Sequence, residues 1–464
     1  MSRFIGYGLI VVLTTMLTVV ARSADRPRAG RAATQRDDKS KDKPLRQVQR
    51  GILQQMKNKD PEVRVAAVER LADYPSPEAA RLLVEQGLAS EYEDVRAAAY
   101  ETLLSYKEND DVTASFLTQA EKEIKRGVPR DETGTMLAVA LASDTAATEE
   151  RALRVLDAAV AQPKGGLLLV VTLADALGAE ASPSSLATLV KISQRPIFEE
   201  QFAVRRSVVQ ALTKIEETDA IDALVRLLAK AQGEVRGDII RHLTAISGEH
   251  FGLDAEAWAD WWKQNKEGFD FPGMAARAAN LAEPVRSMSS YYGMPIYAAR
   301  LVFVLDTSRS MMQHGRILAA KRELTSAING LPEGVHFGVL AFSARVVHWQ
   351  RQLVVASPEN KSRAVAFVER QELGHNTASY DALEAAFDYD TEAVFFLTDG
   401  APRGGKVVDP DEIVDVVTRL NRTRRVTVNS IGVAVGPPGL ANPFDTFLKM
   451  LSERNYGDYR RVDE

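Results

Sequence analysis

Cysteine is absent from the 464-residue chain. Disulfides, zinc–cysteine sites, iron–sulfur clusters and cysteine nucleophiles are therefore excluded. Histidine is scarce: there are six, and no two stand at the short spacing of a helical zinc motif such as H-E-x-x-H. An excess of positive charge is missing too, since 58 Lys and Arg against 63 Asp and Glu leave a net charge of -5. Such a balance lacks the basic footprint of a nucleic-acid-binding protein, and no nucleic acid is expected as a partner. What is present is ordinary globular composition, 45% apolar and 26% charged, which rules out wholesale disorder and collagen-like structure. At roughly 150 residues per domain, the length suggests about three folding units, or two with tails.

One long apolar run stands at the N-terminus. Phe4 to Val20 carry no charge, Arg3 precedes them, and Ala21-Arg22-Ser23 places small residues at the -3 and -1 positions of a cleavage site. This is the layout of a secretory signal peptide over residues 1–23, with Ala24 as the mature N-terminus. The run of 17 residues sits at the short limit of a spanning helix, so an uncleaved anchor is the alternative and the only route to the membrane. Either reading places the rest of the chain outside the cytoplasm, in the periplasm, in the cell envelope or secreted. Residues 24–48 are dominated by charge and broken by Pro27, Gly30 and Pro44, and read as a flexible linker that cannot bury a core of its own.

From 49 to 268 the chain reads as short helices. Val63-Arg64 opens the apolar stripe Val63, Ala67, Leu71; Val95-Arg96 opens Val95, Ala99, Leu103; Val204-Arg205 opens Val204, Val208, Leu212; Val235-Arg236 opens Val235, Ile239, Leu243. Each set is spaced i, i+4, i+8 along one helix face. The first two starts lie 32 residues apart and the last two 31, the period of an α-solenoid of two-helix units. Acidic residues precede several of these starts (Asp60 and Glu62, Glu93 and Asp94, Glu234), where the unpaired N–H groups of a helix favour negative charge. This D/E-x-V-R pattern resembles the HEAT repeats of bacterial proteins. Between about 107 and 200 the phase is not kept, and helices are expected there without a repeat count. Trp258, Trp261 and Trp262 share a face at i, i+3, i+4 and are expected to form a cap closing the last repeat.

After Gly273 the periodicity changes. Residues 269–298 read as a linker with an edge strand at Tyr291-Tyr292-Gly293-Met294-Pro295. Short apolar runs then alternate with amphipathic helices. Strands are expected over Leu301–Leu305, Val335–Phe342, Val394–Leu397 and Val426–Val433, and helices near Ile317–Ile328, Arg363–Glu369, Asp381–Phe387, Ile413–Leu420 and Phe444–Leu451. Continuous apolar strands with intervening helices predict a doubly wound, mostly parallel α/β sheet covered on both faces. Ligands of such folds sit beyond the carboxyl ends of the strands. Three segments fall there: Asp306-Thr307-Ser308-Arg309-Ser310, Gly374-His375-Asn376-Thr377, and Thr398-Asp399-Gly400. Together they offer two carboxylates and three hydroxyls, Asp306, Ser308, Ser310, Thr377 and Asp399, an all-oxygen donor set of the kind a hard divalent cation prefers.

Residues 299–464 resemble a von Willebrand factor type A domain. The resemblance rests on D-x-S-x-S, a separated Thr and a T-D-G turn in that order, flanked by Val302-Phe303-Val304-Leu305, Met311 and Ser379-Tyr380-Asp381-Ala382-Leu383. It implies a metal-ion-dependent adhesion site holding magnesium, with manganese or calcium as alternatives. In the family, Ser308, Ser310 and usually Thr377 would coordinate directly, and the two Asp residues directly or through water. It further implies binding without catalysis: a protein partner offers an acidic side chain to the open metal position. Arg309 departs from the family's usual Gly but is not a ligand position. Two other functions fit the same text, a regulatory subunit of a larger enzyme complex and a hydrolase using the ion as Lewis acid. Gly404-Gly405-Lys406 lacks the spacing of a phosphate-binding loop. His314 and His375 fall in loops beside the site, and Asn421-Arg422-Thr423 matches a glycosylation sequon.

Overall fold

The computed structural model describes residues 45–464 except 91, 128–129, 144, 161–164, 282–288, 434–441 and 463–464. The expected signal peptide and nearly all of the charged linker lie outside the described residues. The chain divides into two compact units, one ending at Ala220 and one beginning at Ile221.

The first unit is helical. Its V-R helices are Pro61–Glu69, Glu93–Leu104 and Phe202–Leu212. The stripes read from the sequence lie in its core except for Val63, which is half-buried: Val95, Ala99, Leu103, Val204, Val208 and Leu212 are fully buried, and Ala67 and Leu71 nearly so. The arginine of the motif has a use that the apolar spacing does not reveal. Arg64 donates to the carbonyls of Asn58 and Lys59 at 2.8 and 3.0 Å, Arg96 to that of Ser90 at 2.7 Å, and Arg205 to that of Phe198 at 3.2 Å. Each thus reaches back six or so residues and satisfies carbonyls of the turn that leads into its own helix, which would otherwise lack partners. Arg64 also pairs with Asp94 of the following repeat at 2.8 Å, so one side chain ties two units together. Between 107 and 200 lie helices Asp110–Lys125, Asp131–Leu141, Ala146–Val160, Gly165–Glu180 and Pro183–Ser193. Gly165–Glu180 is apolar on every side and packs between Asp131–Leu141 and Phe202–Leu212. A helix with no polar face leaves no stripe to keep in phase, so the repeat is not visible there.

The second unit includes the last V-R helix, Gly233–Ser247, and the tryptophan helix, Ala255–Asn265. Trp258 and Trp262 are buried, and their indole N–H groups donate to the Gly252 carbonyl and to Asp222 at 3.0 and 2.7 Å. Edge-to-face contacts with Phe251 and Phe269 complete a closed aromatic cluster. Strands β1 (Ser290–Tyr291) and β2 (Met294–Pro295) pair with each other as a hairpin and bury Tyr291 and Met294 in the core that follows.

The main sheet comprises β3 (Arg300–Asp306), β4 (His336–Phe342), β5 (Val346–His348), β6 (Val354–Val355), β7 (Ala393–Thr398), β8 (Thr427–Val433) and β9 (Tyr459–Val462). Its order is β5-β4-β3-β7-β8-β9, with β6 beside β4; the pairs β4–β3, β3–β7, β7–β8 and β8–β9 are parallel. Leu301, Phe303 and Leu305 face helices Arg316–Gly330 and Pro358–Glu369. Val302 and Val304 face helices Ser379–Phe387, Pro410–Asn421 and Pro443–Glu453. Every strand residue from Leu301 to Asp306 is therefore buried, which is why the run is continuous rather than alternating. The chain leaves β3 for β4 on one side and returns as β7 on the other, so the switch point lies at the carboxyl ends of β3 and β7.

The opposite ends of these strands join the helix Gly233–Ser247. Glu392, just before β7, accepts the N–H groups of Glu234 and Ala299 at 3.1 and 3.0 Å and lies 3.3 Å from Arg300. Glu234 accepts the Thr427 hydroxyl at 3.1 Å. Burial holds the Glu392 carboxyl above its ordinary range, against the pull of Arg300 and the two N–H groups. Gly237 lets this helix approach closely: a Cβ there would sit 2.7 Å from the Tyr297 ring. Gly237→Val should therefore force overpacking of roughly 1–3 kcal/mol, a drop on the order of 5 °C in the melting temperature of the second unit. Calorimetric melting of the full chain checks this. An unchanged midpoint would show that helix and sheet do not share a packed joint.

Candidate metal centre

β3 carries Asp306 to the switch point, and the chain leaves the sheet there as an extended residue and a short 3-10 turn over Arg309–Gly315. Asp306 is fully buried. One of its oxygens accepts the N–H of Ser308 at 2.6 Å and the other accepts the hydroxyl of Thr398 at 2.5 Å. The Ser308 and Ser310 hydroxyls are 3.0 Å apart, and Ser310 donates to Asp399 at 2.7 Å. Arg316, at the start of the following helix, pairs with the second Asp399 oxygen at 3.1 Å. The chain turns back to bring it there through His314 and Gly315, both at positive φ (51° and 74°). Four of the five expected residues thus form one connected group.

Thr377 arrives on a separate loop. Gly374 N–H donates to the Thr307 carbonyl at 2.8 Å, Ser308 and Gly374 form a parallel bridge, and Ala378 N–H donates to the Ser343 carbonyl at 2.8 Å. Arg403 N–H in turn takes the Thr377 carbonyl at 3.0 Å. Thr377 is buried, and among the described residues its hydroxyl has no hydrogen-bond partner. Asn376 beside it holds φ at 64°, a conformation non-glycine residues adopt at a cost and which gathers at binding loops. Backbone bonds therefore join the three loops, and side chains fill the space among them.

Electrostatics set the character of the group. Burial pushes the Asp306 carboxyl up to about 7; the hydroxyls of Thr398 and Ser308 and the Ser308 N–H oppose this, and Asp399 adds to it. Among the described residues no three His, Asp or Glu side chains converge, so the two carboxylates are the only anionic donors of the group. The residues fit a divalent ion on two counts. All donors are oxygen, and Ser308, Ser310 and Asp399 are already gathered by hydrogen bonds of 3.0 and 2.7 Å. Two contributors were not foreseen. Thr398 positions Asp306, and its place in the T-D-G turn was the available signal. Arg316 neutralises part of Asp399, and only Gly315 before it hinted at the fold-back.

Residues 299–460 match the family model of the von Willebrand factor type A domain, and residues 21–123 match that of HEAT repeats. The chain is 28% identical over 187 residues to inter-alpha-trypsin inhibitor heavy chain H3 of Rattus norvegicus, covering 37% of this chain and 20% of that protein. It is 28% identical over 178 residues to heavy chain H1 of Mesocricetus auratus, covering 35% and 18%. The chain thus spans about a fifth of the length of the curated relatives it matches. Among solved structures it is similar to a von Willebrand factor type A protein from Catenulispora acidiphila (19% identity, TM-score 0.31, 36% of this chain and 38% of that one). It is also similar to an aerotolerance-related membrane protein from Bacteroides fragilis NCTC 9343 (20% identity, TM-score 0.28, 36% and 92%). By these matches the chain is similar to von Willebrand factor type A domains over residues 299–460 and to HEAT repeats over residues 21–123.

Proposed function

We propose that this is an exported, non-enzymatic binding protein whose type A domain holds a divalent cation, magnesium first, and uses it to take an acidic side chain of a protein partner. The observation that carries the reading is the connected oxygen group of Asp306, Ser308, Ser310 and Asp399 at the switch point, with Thr377 on the adjoining loop. Charge arithmetic supports the choice of ligand. Two carboxylates and the Arg316 guanidinium leave the protein's share at a single negative charge, because hydroxyls contribute none. When bound, a divalent ion supplies a net positive centre that a carboxylate can approach. Ser308 and Ser310 would hold it as neutral donors, and Thr398 and Arg316 hold the two Asp side chains in place. The helical repeats serve as a scaffold, since a solenoid's product is an extended surface. Export is read from residues 1–23, and among the described residues no helix is long and apolar enough to cross a membrane.

Magnesium that binds only the folded form should raise its melting temperature. At a hundredfold excess over the dissociation constant the gain is about 2.7 kcal/mol, or roughly 5–10 °C for a unit of this size. Thermal melts in magnesium and in chelator check this for wild type and for Asp306→Ala, which should show no shift. A shift that persists in the variant would put the ion elsewhere.

A further inference from the structure

The rim of the site carries a charge pattern that neither the fold nor the metal requires. Arg309 lies between Ser308 and Ser310, Arg345 follows Ser343 in the β4–β5 turn, and Arg403 lies in the loop after β7. Each is exposed, and each sits on a loop tied to the centre. Thr307 N–H donates to the Phe342 carbonyl at 2.7 Å, Ala378 N–H to Ser343 at 2.8 Å, and Arg403 N–H to Thr377 at 3.0 Å. Among the described residues none of these three guanidiniums has an ion pair or hydrogen bond. The other cations nearby are already engaged: Arg316 with Asp399, and Lys406 with Glu384. Nor are the acids of the same loops available to them. Asp306 and Asp399 are buried, Asp381 accepts Lys406 N–H, and Asp409 caps a helix. Among the described residues of these loops the exposed carboxylates are Glu372 and Asp409, one oxygen of Asp409 being taken by the N–H of Glu412. A chain of net charge -5 thus carries three exposed arginines on the loops that form the site.

We infer that the partner's docking segment is an acidic peptide tract, one carboxylate of which meets the metal position while its neighbours pair with Arg309, Arg345 and Arg403. This rests on the metal reading above and adds to it the composition of the partner. Arginine suits the task because its planar fork binds carboxylates in bidentate fashion, which a lysine ammonium does not. Charges at a rim act chiefly on encounter and on partner choice, and their effect fades with salt. A lone acid in an apolar context would satisfy the ion and leave three exposed cations without counter-charge; a run of acids satisfies both.

The test is calorimetry on the full chain with two synthetic peptides of equal length, one of about ten glutamates and one of glycine and serine with a single glutamate. Each is measured in magnesium and in chelator, at low and high salt. Wild type should bind the oligoglutamate in magnesium roughly three- to a hundredfold more tightly than the single-acid peptide, and lose that preference at high salt. Exposed charge pairs contribute about 0.2–1 kcal/mol each. Arg345→Gln with Arg403→Gln, which leaves the D-x-S-x-S loop untouched, should then weaken oligoglutamate binding roughly two- to thirtyfold at low salt. Adding Arg309→Gln should extend the loss. The magnesium-induced melting shift of the double variant should equal that of wild type. Magnesium-dependent binding that is indifferent to the double variant overturns the inference and leaves the metal reading standing. Binding of the oligoglutamate that ignores chelator, or no melting shift in wild type, overturns the metal reading and the inference with it. Tighter binding of a heparin oligosaccharide without magnesium, lost in the double variant, overturns the peptide assignment in favour of a sulfated glycan.

Discussion

Asp306→Asn should make the protein more stable in chelator at pH 8 and abolish its response to magnesium. The first half follows from burial. In the fold the Asp306 carboxyl is pushed up to about 7, whereas in the unfolded chain it titrates near 3.9. Below about pH 4 both states hold the proton and the group is neutral in both. Between about 4 and 7 the unfolded state ionises and the folded state does not, so stability falls as pH rises. Above 7 both are ionised and the full loss is present. The gap of about three pH units corresponds to a loss on the order of 4 kcal/mol. Asparagine removes the charge and keeps both contacts: its carbonyl accepts the Ser308 N–H, and its amide donates to the Thr398 hydroxyl. In chelator the variant should therefore melt roughly 10 °C above wild type at pH 8, with the difference closing toward pH 4. Magnesium should raise wild type and leave the variant unmoved. Thermal melts across pH with and without the ion read both effects. If wild type and variant show the same pH profile in chelator, Asp306 is not the strained group.

The comparison of sequence with structure turns on which residues announce their partners. β3 and β7 were legible because strands buried on both faces read as unbroken apolar runs, and the residues that end them, Asp306 and Thr398-Asp399, follow directly. Strands β5, β6 and β9 were not legible. They are two to four residues long, and β9 carries Arg460 and Arg461 at the sheet's edge, so no apolar pattern marks them. The stripes of Val95 and Val204 predicted their own burial, but the grip of Arg64 on Asn58, Lys59 and Asp94 depends on where a turn places carbonyls, which spacing does not state. Glu234 shows the limit well. The sequence assigned it to a helix N-terminus, and it does stand in the first turn of Gly233–Ser247. It is also buried against Thr427, 193 residues further along, and nothing local to either residue indicates that contact. The gathering of the oxygen-bearing loops was legible for the converse reason: Asp306, Thr377 and Asp399 each lie at the end of a predictable strand or helix, so topology alone brings them together. Arg316 belongs to the same locality but reaches Asp399 only through the positive-φ turn at His314 and Gly315, which sequence marks by the glycine alone.

Thr377→Val should weaken magnesium-dependent binding of a carboxylate partner ten- to a hundredfold while leaving the melting temperature in chelator within a few degrees of wild type. The residue is buried, and its hydroxyl has no hydrogen bond with any described residue, so the isosteric methyl removes a donor oxygen from the site and little from the fold. Its backbone role also survives, because the Thr377 carbonyl still accepts Arg403 N–H and keeps that loop in place. The substitution carries no charge change, which separates it from the Asp306 experiment: electrostatic strain is untouched and only the ion's coordination is altered. The repeats of residues 49 to 220 should be indifferent to it, since their core is formed by their own side chains. Calorimetry with the oligoglutamate peptide, in magnesium and in chelator, for wild type and variant, gives four affinities. Wild type with magnesium should stand alone as tight, with the other three weak and similar. Four equal affinities would mean that the peptide docks away from the ion, and the recognition surface would then have to be sought on the helical repeats, with the metal left a structural role.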